Sequence, residues 1–159
     1  MSNKNKTEDL KNIYGLEKHP EGGWFSESYT APFEHEERSL AGSIYFLLDR
    51  DDISHFHQID CDEVWYYHEG CGLKIYSIYE GKLDVFLLGP EYEKGERAMV
   101  VIPKGAVFAA ENIDKDGYTF ISCITTPKFS YDGFRLVNKQ EIKGIYPNAS
   151  SAVLSLAFE

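Results

Sequence analysis

The stretch HFHQIDCDEVWYYHEG, residues 55–70, decides how this chain reads. Two histidines stand one residue apart, a glutamate follows, and a glycine closes the run. On a strand His55 and His57 point to one face, and on the next strand Glu63, Trp65 and Tyr67 share one face, closed by Gly70. Histidines facing a carboxylate across neighbouring strands are the raw material of a metal centre or of an acid–base pair. A His-x-His pair alone is common by chance, so its surroundings must carry the argument.

Those surroundings are strands. WFSESYT, residues 24–30, alternates large and polar side chains, and SIYFLL, residues 43–48, is a continuous run suited to a fully buried strand. LKIYSIYEGKLDVFLLG reads as a hairpin turning at Glu80-Gly81-Lys82, and VFAA and YTFISCITT follow Pro103-Lys104-Gly105. Strands at hairpin spacing from about residue 24 to 126, with no helices between them, predict an antiparallel sandwich or barrel. Eleven tyrosines and ten phenylalanines agree, because flat rings suit a pleated, half-buried surface. A short helix is expected at the start, with Thr7 as N-cap, Leu10 and Ile13 on one face and Gly15 at its end. Another is expected near the end, capped by Asn148, with Val153, Leu154 and Leu156 inward.

At 159 residues, 43% of them apolar, the chain has the size and composition of one globular domain. A formal charge of −10 argues against nucleic acid or an anionic membrane as partner, since both require a cationic face. The opening MSNKNKTEDL has no apolar core of the secretory kind, and no apolar run approaches the ~20 residues that span a bilayer. Cys61, Cys71 and Cys123 show no CxxC spacing, which fits reduced thiols and a cytoplasmic protein.

Pro103-x-Gly105 and Asn112 form a second pattern beside His55-x-His57, Glu63 and Gly70. Together they resemble the two motifs of the cupin superfamily, G-x5-H-x-H-x3-4-E-x6-G and G-x5-P-x-G-x2-H-x3-N. Here five residues, not three or four, separate His57 from Glu63, Phe108 stands where the second motif has its histidine, and Gly95 lies two residues too far upstream. HPEGGWFSESY at 19–29 and GYTFISCITTPKFSYDGFRL at 117–136 also resemble one branch of single-domain cupins. That branch occurs in bacteria and fungi, has no settled activity, and is compared with deoxy-sugar-nucleotide epimerases; the second histidine, here His57, is its more regular one.

The resemblance implies an all-β fold, a cupin-type double-stranded β-helix or jelly-roll barrel with short N- and C-terminal helices. One domain would span 1–159, with a barrel core at about 20–137 and a helical tail at about 138–159. A cupin metal usually has three histidines and a glutamate, and Phe108 removes one ligand. His68 is five residues from Glu63 and so on the opposite strand face, and nothing places His19 or His35 near the site. No cofactor is therefore expected, the alternative being a divalent metal on His55, His57 and Glu63, a triad of the kind that holds ferrous iron.

In the metal-free reading His57 is a general base oriented by Glu63, both catalytic. Glu27, Arg38, Trp65, Tyr67 and Phe108 are candidate substrate contacts, Arg38 for an anionic group at the barrel mouth. The three aromatics fit core packing equally well. Cys123 reads as a small buried hydrophobe. Three functions remain open: a metal-independent isomerase or epimerase removing a proton beside a carbonyl, a non-catalytic module binding a ring-shaped metabolite, and a ferrous dioxygenase. Cupin barrels commonly pair, so a homodimer is expected, with an N-terminal segment covering an exposed sheet edge.

Overall fold

The computed structural model describes residues 2–159. Helix α1 (Asn3–Ile13) opens the chain, followed by strands β1 (Glu17–Lys18), β2 (Trp24–Thr30), β3 (Glu34–His35), β4 (Arg38–Ser39), β5 (Gly42–Asp49), β6 (Ile53–Gln58) and β7 (Asp62–Gly70). Strands β8 (Leu73–Tyr79), β9 (Lys82–Leu88), β10 (Met99–Ile102), β11 (Val107–Asn112), β12 (Tyr118–Thr126) and β13 (Arg135–Leu136) come next. Helices α2 (Lys139–Ile145) and α3 (Ser151–Leu154) close the chain.

The strands form a six-stranded sheet, ordered β1-β2-β5-β12-β7-β10, and a five-stranded sheet, ordered β13-β6-β11-β8-β9, with β3 and β4 as a separate ribbon. The two large sheets face each other as a jelly-roll barrel. The turn at Glu80-Gly81 puts both residues at positive φ, 51° and 76°, the geometry that matches a two-residue hairpin to the twist of its strands.

Three apolar clusters hold this architecture. The barrel interior is filled by Phe46, Trp65, Ile75, Phe108 and Ile121 with their neighbours. Behind the five-stranded sheet, Phe56, Val107 and Ala109 lie under Ile142, Val153 and Leu156 of the C-terminal tail. Behind the six-stranded sheet, Leu47 and Phe120 lie under Leu10 of α1 and Leu16 just beyond it. Leu47, Leu48, Phe46 and Asp49 are all buried because β5 is central and covered on both faces, which explains its continuous apolar run.

The helix ends differ from expectation. Helix α1 starts earlier, after Ser2, and Thr7 lies inside it, buried, its hydroxyl donating back to the Lys4 carbonyl at 3.2 Å. Asn148 caps nothing; Ser150 caps α3 by accepting from the Val153 N–H at 3.2 Å. The tail also contains α2, whose Asn138 and Glu141 form a reciprocal capping box. Among the described residues no helix is long and apolar enough to cross a membrane.

Candidate active site

The site is built where β6 passes under the loop leading into β2. Residues Glu21, Gly22 and Gly23 make a tight turn in which Gly22 has φ +110°, and a Cβ there would sit 1.9 Å from the Ile53 carbonyl oxygen. Only glycine allows this approach. The turn is fixed to β6 through the Glu21 carbonyl, which accepts from the His55 N–H at 2.8 Å and from His55 Nδ1 at 2.7 Å. Its side chain then reaches inward, and Glu21 Oε2 lies 2.7 Å from His57 Nε2.

His57 is 3% exposed and has both ring nitrogens engaged. Nδ1 lies 2.7 Å from the His55 carbonyl oxygen, which can only accept, so Nδ1 carries a proton. Burial opposes a charge on the ring, yet the charge and hydrogen bond of Glu21 outweigh it, and the pKa of His57 is raised. In Glu21 the same pair of effects runs the other way: burial raises the carboxyl pKa, and His57 more than offsets it. The two form a buried imidazolium–carboxylate pair.

Glu63 lies on the facing sheet in a row with Gly42, Thr125 and Ile102. Its Oε1 accepts the indole N–H of Trp65. Burial, then the charge of Glu21, push its pKa up to about 7, against the opposing pull of His57 and the indole. Inside a cavity, such a shift makes Glu63 a candidate acid–base group.

Glu21, His57 and Glu63 line a cavity of about 450 Å³. Phe25, Ile44 and Phe129 also line it, with Glu17, Glu27, Lys128 and Tyr131. His19, expected to lie away from the site, is part of it. Its Nδ1 accepts from the Glu21 N–H at 3.2 Å, and its ring meets Phe25 edge-on at 4.7 Å. Burial, partly offset by Glu21, lowers the His19 pKa and keeps it neutral. Cys123 also lines the cavity, but burial, reinforced by Glu63 and Glu21, raises its pKa well above the ordinary thiol value and leaves it un-ionised.

The remaining expected residues divide. Trp65 and Phe108, 2% and 0% exposed, are packed behind Glu63 and His57: the indole holds Glu63, and the Phe108 ring lies 4.2 Å from His57. Tyr67 packs beside the interior cluster and donates its hydroxyl to the Gly70 carbonyl at 2.7 Å. Arg38 does not wait for an anionic ligand. Its two terminal nitrogens each lie 2.9 Å from an Asp60 oxygen, and Nε donates to the Lys128 carbonyl, so it is a strut between loops. Glu27 does reach the cavity and pairs with Lys128 at 3.4 Å.

His55 does not share the face of His57. In the β6–β11 pairing Phe108 opposes His57 while Ala110 opposes Ser54, which inserts an extra residue into β6. This bulge breaks the two-residue alternation. Ser54 and His57 turn inward together, and the His55 ring stacks on Phe158 of the tail, centroids 3.9 Å apart. With His55 turned away, both His57 nitrogens engaged and Phe108 in the second motif, the residues present do not fit a cupin metal. Among the described residues no three His, Cys, Asp or Glu side chains converge to hold an ion.

The contribution of Glu21 was missed in the sequence because the Gly-Gly of HPEGGW reads only as a turn into β2. Its signal was an acid flanked by His19 and two glycines, a turn tight enough to thrust that acid against the next strand.

Comparisons with known proteins agree with the fold. The family described as Cupin superfamily (DUF985) matches residues 8–137. The crystal structure of protein SO0799 from Shewanella oneidensis has a TM-score of 0.90 at 35% identity, covering 100% of this chain and 99% of that one. A hypothetical protein from Leishmania major follows at 0.86 and 29%, covering 96% and 98%. The uncharacterized protein YML079W of Saccharomyces cerevisiae is 27% identical over 168 residues, 93% of this chain and 84% of that protein. The barrel, the two motifs and these relatives converge on one placement: the chain belongs to the cupin superfamily, in its DUF985 family.

Proposed function

We propose that the protein is a metal-independent enzyme of isomerase type that moves a proton at a carbon next to a carbonyl in a small ring-shaped substrate. The observation that carries this reading is Glu63, a buried cavity carboxylate with a pKa near 7 opposite a fixed imidazolium. The roles expected of the two residues are exchanged. His57 has no free lone pair to act as base, whereas Glu63 is held by one hydrogen bond and is matched to neutral pH.

In the forward step the substrate C–H bond breaks and its proton passes to Glu63. The electron pair moves into the carbonyl, giving an enolate oxygen, and the His57 imidazolium offsets the new charge in a site only partly screened by solvent. In an α-hydroxy carbonyl substrate Glu63 then returns the proton to the former carbonyl carbon while the hydroxyl proton passes to the enolate oxygen. The old carbonyl thus becomes the alcohol, and the hydroxyl-bearing carbon becomes the new carbonyl. One base serving one face suits isomerisation; inversion at a single carbon would need a second acid on the opposite face.

The test is exchange in deuterated water. With 2-hydroxycyclohexanone as probe and a chelator present, the wild type should wash deuterium into the carbon beside the carbonyl. Glu63→Gln should lose about 10²- to 10⁴-fold of that rate, the usual worth of a general base. If the probe binds and the wild type gives no exchange, the protein is a binding module. Exchange abolished by the chelator would place the chemistry on a metal.

A further inference from the structure

The charges around the cavity are unevenly matched. Four carboxylates line it, Glu17, Glu21, Glu27 and Glu63. Two cations offset them, and both are already committed: His57 to Glu21 at 2.7 Å, and Lys128 to Glu27 at 3.4 Å, with a further bond from Lys128 to the Thr30 hydroxyl. Arg38, the other cation near the mouth, is held by both oxygens of Asp60. Glu63 and Glu17 are left without an ion-pair partner among the described residues. Glu63 is 8% exposed, and its single hydrogen bond, from Trp65, occupies only one of its oxygens.

Part of the cavity wall is aromatic. His19, Phe25, Phe129 and Tyr131 line it, with Phe129 and Tyr131 edge-on at 5.0 Å and His19 against Tyr131 at 6.2 Å. Aromatic faces attract cations. The net charge of −10 acts in the same direction at longer range. A phosphate or carboxylate entering this cavity would find no uncommitted cation, and would approach an unpaired buried acid.

We propose that the cavity selects ring compounds carrying an ammonium group and rejects anionic ones of the same size. This rests on the cavity being the ligand site, as the proposed function requires. The ring lies between the aromatic and aliphatic walls, with the ammonium held in the field of Glu17 and Glu63 and the second oxygen of Glu63 left free to take the substrate proton. A sugar nucleotide, whose phosphates need free cations, is therefore excluded as substrate.

Three probes of similar size test this: benzylamine, benzyl alcohol and benzoate, titrated at pH 7.5 into protein labelled with nitrogen-15. The indole N–H of Trp65 bonds to Glu63 and reports occupancy, while Trp24, which lies beneath Lys11 outside the cavity, is the internal control. Opposite charges a few ångströms apart in a partly screened site attract by more than a factor of ten. Benzylamine should therefore bind at least about tenfold tighter than benzoate, with benzyl alcohol between them. In Glu63→Gln that ratio should fall below about threefold.

Benzoate binding as tightly as benzylamine, or a ratio unchanged in Glu63→Gln, overturns charge selection and leaves the cavity standing as the ligand site. If none of the three moves the Trp65 signal in the millimolar range open to molecules of this size, the cavity is not the ligand site and both proposals fall.

Discussion

Replacing Glu63 by glutamine should make the protein more stable, and only at neutral to alkaline pH. The pKa of Glu63 rises from an ordinary 4.5 to about 7 in the folded state. Between those values the folded chain holds a proton that the unfolded chain releases, so stability falls as pH rises through this window. Below it the carboxyl is neutral in both states, and above it the full cost is present. A separation of about 2.5 pH units, at about 1.4 kcal/mol per unit, amounts to roughly 3.5 kcal/mol.

Glutamine never charges and can still accept the Trp65 indole N–H, so Glu63→Gln should remove this cost without losing the bond. With a urea m-value of about 2 kcal/mol/M, the variant's unfolding midpoint at pH 8 should lie roughly 1.7 M above that of the wild type. At pH 5 the gap should shrink below about 1 kcal/mol. Effects from Glu21 and His57 are common to both chains and largely cancel. Equal midpoints at both pH values, or a wild type that is the more stable at pH 8, would refute the assignment of Glu63 as a strained buried acid. A gain in stability with a loss of exchange activity is the pattern expected where function holds a destabilising group in place.

Glu21→Gln and His57→Gln should each destabilise by about 3–5 kcal/mol, because either leaves a buried charge without its partner; the double variant should lose much less than the sum, and additive losses in melting experiments would dissolve the pair. Arg38→Met should cost less than about 2 kcal/mol, since its ion pair with Asp60 is half-exposed. It should leave benzyl alcohol affinity unchanged, and a tenfold loss would restore Arg38 as a ligand contact. For the expected dimer, β10 is an open edge, and Tyr66, Met99 and Val101 are exposed along the β7–β10 pair. Light scattering should give twice the 18.2 kDa chain mass, and a monomer at micromolar concentration would remove that expectation.

The barrel was legible in the sequence because each strand reports its own period. The continuous run of β5 and the Glu80-Gly81 turn are local signals that the structure follows, whereas β2 forms at WFSESYT but its burial fades towards Thr30 instead of alternating, with a bulge between Glu27 and Tyr29. His57 and Glu63 were legible for the same reason. His55 was misplaced because a bulge has no reliable local signature: the alternation rule holds along an unbroken strand, and the extra residue in β6 is visible only against β11. The roles of Arg38 and Glu21 depended on partners 22 and 36 positions away, Asp60 and His57, and no periodicity encodes such a pairing. Asn148 failed as a cap because Ser150 stands nearer the helix start with an equally suitable oxygen.

The departure at Phe108 then has a positive consequence for chemistry. In a metal-binding cupin a histidine here would help to hold a divalent ion, whose charge would keep a neighbouring glutamate ionised and bound as a ligand. In this chain the position carries an apolar ring, fully buried and 4.2 Å from the His57 ring. Two effects follow from that one side chain. It denies the site a ligand, so His57 takes its charge partner from the protein, through Glu21. It is also part of the buried interior around the site, and desolvation by burial is the largest cause of the raised pKa of Glu63. Phe108→His should therefore lower the pKa of Glu63 by adding a polar, chargeable neighbour, and should weaken exchange at neutral pH without restoring a three-histidine set, because His55 remains on Phe158. Carbon-13 NMR of the labelled Glu63 carboxyl measures this directly. An unchanged titration near pH 7 in Phe108→His would show that burial by Phe108 is not what raises it.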